Sequence, residues 1–240
     1  MIIAGFVRLT AIRMKAIIKV WMFLTLTILE GILIITGLFC LRKGGPVILF
    51  LLLFLIVIDF INENVIVTHS MQWWKISSNV FYNAYSFLEI LCWVFIYHHI
   101  YAKANIKGII IFCGAFILIF SLLEVFFIYS PDVFHTLSYA GFSMFSLCFS
   151  GVYLLKINSM AYHSLHDDPI FWLCAGATCF NSVFLVNLST MLDPIYWLHT
   201  QALQVFHILQ SVALIIYYLF ICIAFILFYC RHRQGIYRSL

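Results

Sequence analysis

Residues 16–66 read AIIKVWMFLTLTILEGILIITGLFCL, then RKGGP, then VILFLLLFLIVIDFINENVI, and this stretch decides the fold class. The first apolar run is longer than the ~7–15-residue core of a cleaved signal peptide, and no small-x-small site leading into a soluble domain follows it. Instead Arg42-Lys43-Gly44-Gly45-Pro46 leads straight into a second apolar run. About 20 mostly apolar residues cross the hydrocarbon of a bilayer as a helix. Two such runs joined by a basic Gly-Pro turn read as a transmembrane hairpin, with the first run retained.

Working outward with a ~19-residue window, five more runs of this kind follow. The seven spans cover about 17–41, 47–66, 79–102, 108–128, 135–157, 170–192 and 202–230. Connections are short, no internal repeat is visible, and residues 1–240 form one domain. The expected fold is all-α: a polytopic integral membrane protein, a bundle of seven transmembrane helices. Composition agrees. Of the 240 residues, 65% are hydrophobic and 9% charged, against roughly 45–50% and about 25% in soluble domains. Too few polar residues remain to cover a water-facing surface. A soluble enzyme, a disordered chain and a nucleic-acid-binding domain are all excluded. The eight cysteines lie in or at the ends of apolar runs and form no C-x-x-C pair. They read as small apolar residues.

Local signals mark the ends of the spans. Asp167-Asp168-Pro169 is a helix start, with a capping carboxylate and Pro in the first turn. Asp193-Pro194 stops the sixth span, and Trp21, Trp73, Trp74 and Trp197 sit at the expected interfaces. Basic residues orient a membrane protein. Arg42, Lys43, Lys103, Lys107, Lys156, Arg231, Arg233 and Arg238 fall in the first, third and fifth loops and the C-tail; the other loops hold only Lys75. This predicts a cytoplasmic C-terminus and an external N-terminus. Arg8, Arg13, Lys15 and Lys19 pull the other way, and a start at Met14 would remove two of them.

A charge in the hydrocarbon core costs about 2.5–3.5 kcal/mol even on the gentler insertion scale, so the polar residues inside spans need a reason. Chain direction alternates from span to span, which assigns each a depth. Asp59, Asn62 and Glu63 come late in span two; Asn79, Asn83 and Glu89 lie in the first half of span three. Glu124 is late in span four, His135 opens span five, and Asn187 is late in span six. Gln204, His207 and Gln210 are early in span seven. All fall in one half of the bilayer, the external half in this orientation, with Glu30 nearer mid-depth. Asn79, Tyr82, Asn83, Ser86 and Glu89 lie within about 120° of one another on a helix, one inward stripe. Asp59 and Glu63 are one turn apart on one face. The candidate polar cavity therefore comprises Asp59, Glu63, Asn79, Tyr82, Asn83, Glu89, Glu124, Asn187, His207 and Gln210. Amides between packed membrane helices also serve as simple packing contacts, at roughly 0.6 kcal/mol each.

Specific chemistries are weaker. His135 and His207 are candidate metal ligands near Glu63 and Glu124, but no H-E-x-x-H spacing supports a metal site. His163-Ser-Leu-His166-Asp167-Asp168 reads as loop and cap. Span seven has no lysine for a retinal Schiff base, and no serine-nucleophile motif is present. No cofactor is assigned.

Span three, Asn79-Val-Phe-Tyr82-Asn83-Ala-Tyr85-Ser-Phe-Leu-Glu89, and the start of span six, Asp168-Pro169-Ile-Phe171-Trp172, carry a resemblance. They resemble a group of small, uncharacterised bacterial seven-helix membrane proteins with an N-x-x-Y-N-x-Y-x-x-x-E run and a P-x-F-W start. The resemblance implies a bacterial inner-membrane location and a sensing role beside signalling proteins. The expected function is a receptor-like or sensory module. It would bind a small ligand, ion or lipid in the cavity and signal through a protein partner at the basic cytoplasmic face. The alternatives are a small-solute or proton-coupled transporter using Glu63, Glu89 and Glu124, a metal-dependent intramembrane enzyme, and a structural assembly subunit.

Overall fold

The computed structural model describes the backbone of residues 2–42, 45–67, 69, 75–128, 130, 132–158, 165–191 and 200–233. Side chains are described from residue 20 onward, except at 158, 189–191, 200–204, 206–207 and 232–233. Among the described residues the chain folds as seven long helices: α1 (Ile2–Leu41), α2 (Val47–Ile61), α3 (Ser78–Ile100), α4 (Lys107–Leu123), α5 (Thr136–Asn158), α6 (Pro169–Met191) and α7 (Thr200–Arg233). All seven are long and apolar enough to cross a membrane. The protein is an all-α integral membrane bundle. Each helix lies within a few residues of the expected span, except that α1 begins at Ile2 rather than near residue 17. No proline interrupts residues 2–16, so nothing there breaks the helix.

The ends follow local chemistry. Pro46 opens α2, and its carbonyl accepts from Leu49 and Phe50 N–H. Ser77 Oγ caps α3 by accepting from Asn79 N–H at 3.3 Å. Asp168 Oδ1 caps α6 by accepting from Ile170 N–H at 3.2 Å, as the sequence predicts. Two helices end in π-helical turns: α2 through Asn62–Val67 and α4 through Glu124–Ile128. Asn62, Glu63 and Asn64 fall in the π turn, while Asp59 stays in the α-helical part of α2. Asp193-Pro194, Trp73, Trp74, Trp197 and His163 lie outside the described residues.

Sequential helices pack side by side, and α1 closes on α7 to complete a ring. One helix, α4, packs against its neighbours from outside this ring. Because α3 also touches α5 directly, α4 sits behind them on the outside. Its buried residues, Ile110, Gly114, Ile117, Ser121 and Glu124, recur at intervals of four and three and form one narrow seam. Its other faces present Phe112, Phe116, Phe126 and Phe127 outward, where lipid replaces water as solvent. Arg42, Lys103, Lys107, Lys156 and Arg231 all stand at one end of the bundle, here called the basic end.

Without a hydrophobic driving force between helices in lipid, close backbone approach at small residues does the packing. A Cβ at Gly114 would stand 2.3 Å from Val94 Cγ2, and one at Gly37 would stand 2.7 Å from Leu53 Cδ1. Val94 is buried and β-branched, so it has few rotamers with which to yield. Gly114→Val should cost about 1–3 kcal/mol through over-packing, read as a lowered melting temperature in detergent. Gly151→Ala, with nothing within 4 Å, should leave melting unchanged or raise it by up to about 1 kcal/mol through helix propensity.

Candidate functional site

A cavity of about 580 Å³ lies inside the ring. It starts among Asn79, Tyr82 and Phe134 at the end opposite the basic one and reaches down to Trp93, Leu52 and Ile221. Asn79 to Trp93 is fourteen residues, about 21 Å of helix axis. The cavity is therefore deeper than the half-bilayer expected from sequence. Its floor is mostly apolar and tightly packed. Leu49, Ile96 and Phe225 are each 0% exposed below it.

Seven of the sequence candidates line this cavity: Asp59, Glu63, Asn79, Tyr82, Glu89, Asn187 and Gln210. The α3 stripe explains the arrangement. Asn79, Tyr82, Ser86, Glu89 and Trp93 point into the space. Tyr85, at one edge of the stripe, also lines the cavity. Asn83, at the other edge, turns away from the cavity.

The carboxylates are each held by phenol hydroxyls. Tyr82 Oη donates to Glu63 Oε2 at 3.1 Å. Tyr139 Oη donates to Glu89 Oε2. Tyr218 Oη is shared between Glu30 Oε1 at 3.1 Å and Asp59 Oδ2 at 2.5 Å. A phenol has one proton to donate, so this bridge is complete only when one of the two carboxyls carries a proton of its own. Asn64, delivered by the π turn of α2, donates to Glu30 Oε2 at 3.4 Å and accepts from Thr27 at 3.1 Å. On the far wall Asn187 Nδ2 donates to Gln210 Oε1, tying α6 to α7. No Lys, Arg or His lines the cavity among the described residues.

Two sequence candidates belong elsewhere. Glu124 is fully buried but lies on α4, behind the ring, and does not touch the cavity. Its carboxylate accepts from the N–H groups of Leu137 at 3.1 Å and Ser138 at 2.8 Å, and from Ser138 Oγ. It caps the N-terminus of α5, which places its charge at the positive end of that helix. Asn83 fastens the segment before α5 to α3. Its Oδ1 accepts from His135 N–H at 3.1 Å and its Nδ2 donates to Val133 O at 2.9 Å. Asn83 Nδ2 also stands 3.2 Å from His135 Nε2, which accepts in the neutral tautomer that carries its proton on Nδ1. Burial pushes the His135 imidazole down in pKa, against the opposing pull of Glu124. That nitrogen is thus engaged in a structural bond rather than offered to a metal. Among the described residues no three His, Cys, Asp or Glu side chains come together as a metal site. The side chain of His207 lies outside the described residues.

Sequence reasoning missed the tyrosines Tyr85, Tyr139 and Tyr218, and it left Glu30 outside the site. Phenol groups within apolar spans were the available signal, since a buried hydroxyl needs a partner. Tyr218→Phe should remove the donor that Glu30 and Asp59 share and cost about 1–3 kcal/mol. Glu124→Gln should cost a similar amount by weakening the α5 cap. Both losses are read as melting temperatures, and only the Tyr218 change should disturb the cavity. No protein-family model, curated protein or solved structure matches the chain.

Proposed function

We infer that the protein is a receptor-like or sensory membrane module. A small ligand, ion or lipid headgroup enters the cavity, and its binding is passed to a protein partner at the basic end. The observation that carries this reading is the one-ended cavity: carboxylates inside, a packed apolar floor below. The floor argues against an open solute path through the bundle. With Glu30, Asp59, Glu63 and Glu89 as its acidic lining, the cavity favours a ligand that is cationic or rich in hydrogen-bond donors. Trp93, Tyr217, Phe180 and Phe184 add aromatic faces that attract cations. The positive-inside rule places the basic end in the cytoplasm and the cavity mouth outside. A bacterial inner-membrane location rests on the sequence resemblance alone.

The test is thermal stability of the detergent-purified chain against matched small amines, neutral analogues and carboxylates, with native mass spectrometry of whatever copurifies. A binder at 100 times its Kd adds about 2.7 kcal/mol of stability. Amines should raise the melting temperature, and Asp59→Asn and Glu89→Gln should abolish the rise. Stabilisation by carboxylates instead, or by no small molecule and no copurifying species, overturns the reading.

A further inference from the structure

The cavity floor is apolar except along one line. On α5, Tyr139, Ser143, Ser146, Ser150 and Tyr153 recur at intervals of four, three, four and three. At 100° per residue they fall within about 80° of one another and extend over about 21 Å of axis. Their partners form a sequence of their own. At the cavity end Tyr139 bonds Glu89. In the middle, Tyr97 Oη from α3 stands 2.9 Å from Ser146 Oγ and 2.7 Å from Ser150 Oγ, bridging them. At the basic end Tyr153 Oη donates to Asp168 Oδ2 at 2.5 Å. Asp168 in turn faces Arg231 at 3.7 Å. Tyr97, Ser143, Ser146 and Ser150 are each 0% exposed.

Packing contacts alone would satisfy every hydroxyl. Two polar atoms on this line are not satisfied. Ser143 Oγ, between Tyr139 and Ser146, has no hydrogen-bond partner among the described residues. Asn181 Oδ1, whose Nδ2 donates to Ser146 Oγ at 3.1 Å, has none either. Buried polar atoms of this kind recruit ordered water. The protein's own hydroxyls leave two gaps, one at Ser143 and one between Ser150 and Tyr153.

We propose that this line is a proton path from the ligand cavity to the basic end of the bundle, running Glu89, Tyr139, Ser143 with water, Ser146, Tyr97, Ser150, a second water, Tyr153 and Asp168. Each hydroxyl accepts a proton on its oxygen and releases its own to the next. One O–H bond forms for each that breaks, and no oxidant or reductant is needed. Glu89 takes the proton up in the cavity. Asp168 delivers it beside the exposed Asp167 and His166. The carried species is a proton and no solute, because the packed floor leaves no wider opening.

The full chain in liposomes, with a pH-sensitive dye inside and a potassium diffusion potential imposed by valinomycin, tests this directly. Wild type should carry protons well above protein-free liposomes, with no sodium flux. Tyr97→Phe, which keeps the ring and removes the central hydroxyl, should cut the flux at least tenfold. Ser146→Ala should do the same, and serves should Tyr97→Phe not fold. Gly151→Ala, on the same helix but off the line, should conduct as wild type. No flux above empty liposomes from folded protein overturns the path. So does undiminished flux in Tyr97→Phe or Ser146→Ala; a lowered melting temperature alone would mark these groups as packing contacts. The ligand-binding reading is scored separately, since amine-induced stabilisation does not require conduction.

Discussion

A carboxyl group inside hydrocarbon must meet a hydrogen-bond donor, and the arrangement of this bundle follows from that requirement. Five acids lie within its spans, and none is left without one. Glu30, Asp59, Glu63 and Glu89 draw on tyrosine hydroxyls. Glu124 draws on backbone N–H groups at a helix start. Both solutions use neutral donors. Tyrosine suits the first case because its ring packs like a hydrophobe while its tip is polar. An arginine or lysine partner would have placed a second charge in the membrane at comparable cost.

The two solutions separate two kinds of work. Acids partnered by tyrosines stay at a cavity wall, where an incoming donor can compete with a phenol for the carboxylate. The acid partnered by backbone is sealed at 0% exposure and acts as a fastening. The π turns at the ends of α2 and α4 serve this division. One carries Glu63 and Asn64 toward the cavity, and the other sets Glu124 under α5. Wide turns of this type often accompany functional positions.

The seven spans were legible because hydrophobic run length is a direct physical requirement of the bilayer, and caps such as Asp168 are local. The depth of most cavity-lining residues was legible too, since depth depends on chain direction and position alone. What depth leaves open is lateral position. Glu124 stands at a depth like that of Glu63, yet on a helix outside the ring, and no periodicity on α4 reveals which neighbours it has. Asn83 failed for a finer reason. It sits about 80° from the centre of the stripe formed by Asn79, Tyr82, Ser86, Glu89 and Trp93, enough to face the segment before α5 instead of the cavity. The tyrosine partners were missed because their hydroxyls meet acids on other helices, a long-range pairing with no sequence spacing to announce it.

The outside position of α4 has a consequence for how the protein assembles. In a membrane, spans insert first as separate helices and associate afterward. Before it docks, α4 holds Glu124 in lipid with no donor in reach, while the first turn of α5 has exposed N–H groups of its own. Docking relieves both defects in one step and fits Gly114 against Val94. Helix α4 thus arrives with its own driving force and a single correct orientation. The ring that encloses the cavity is built without any side chain from it, so α4 braces from outside a chamber whose walls belong to the other six helices.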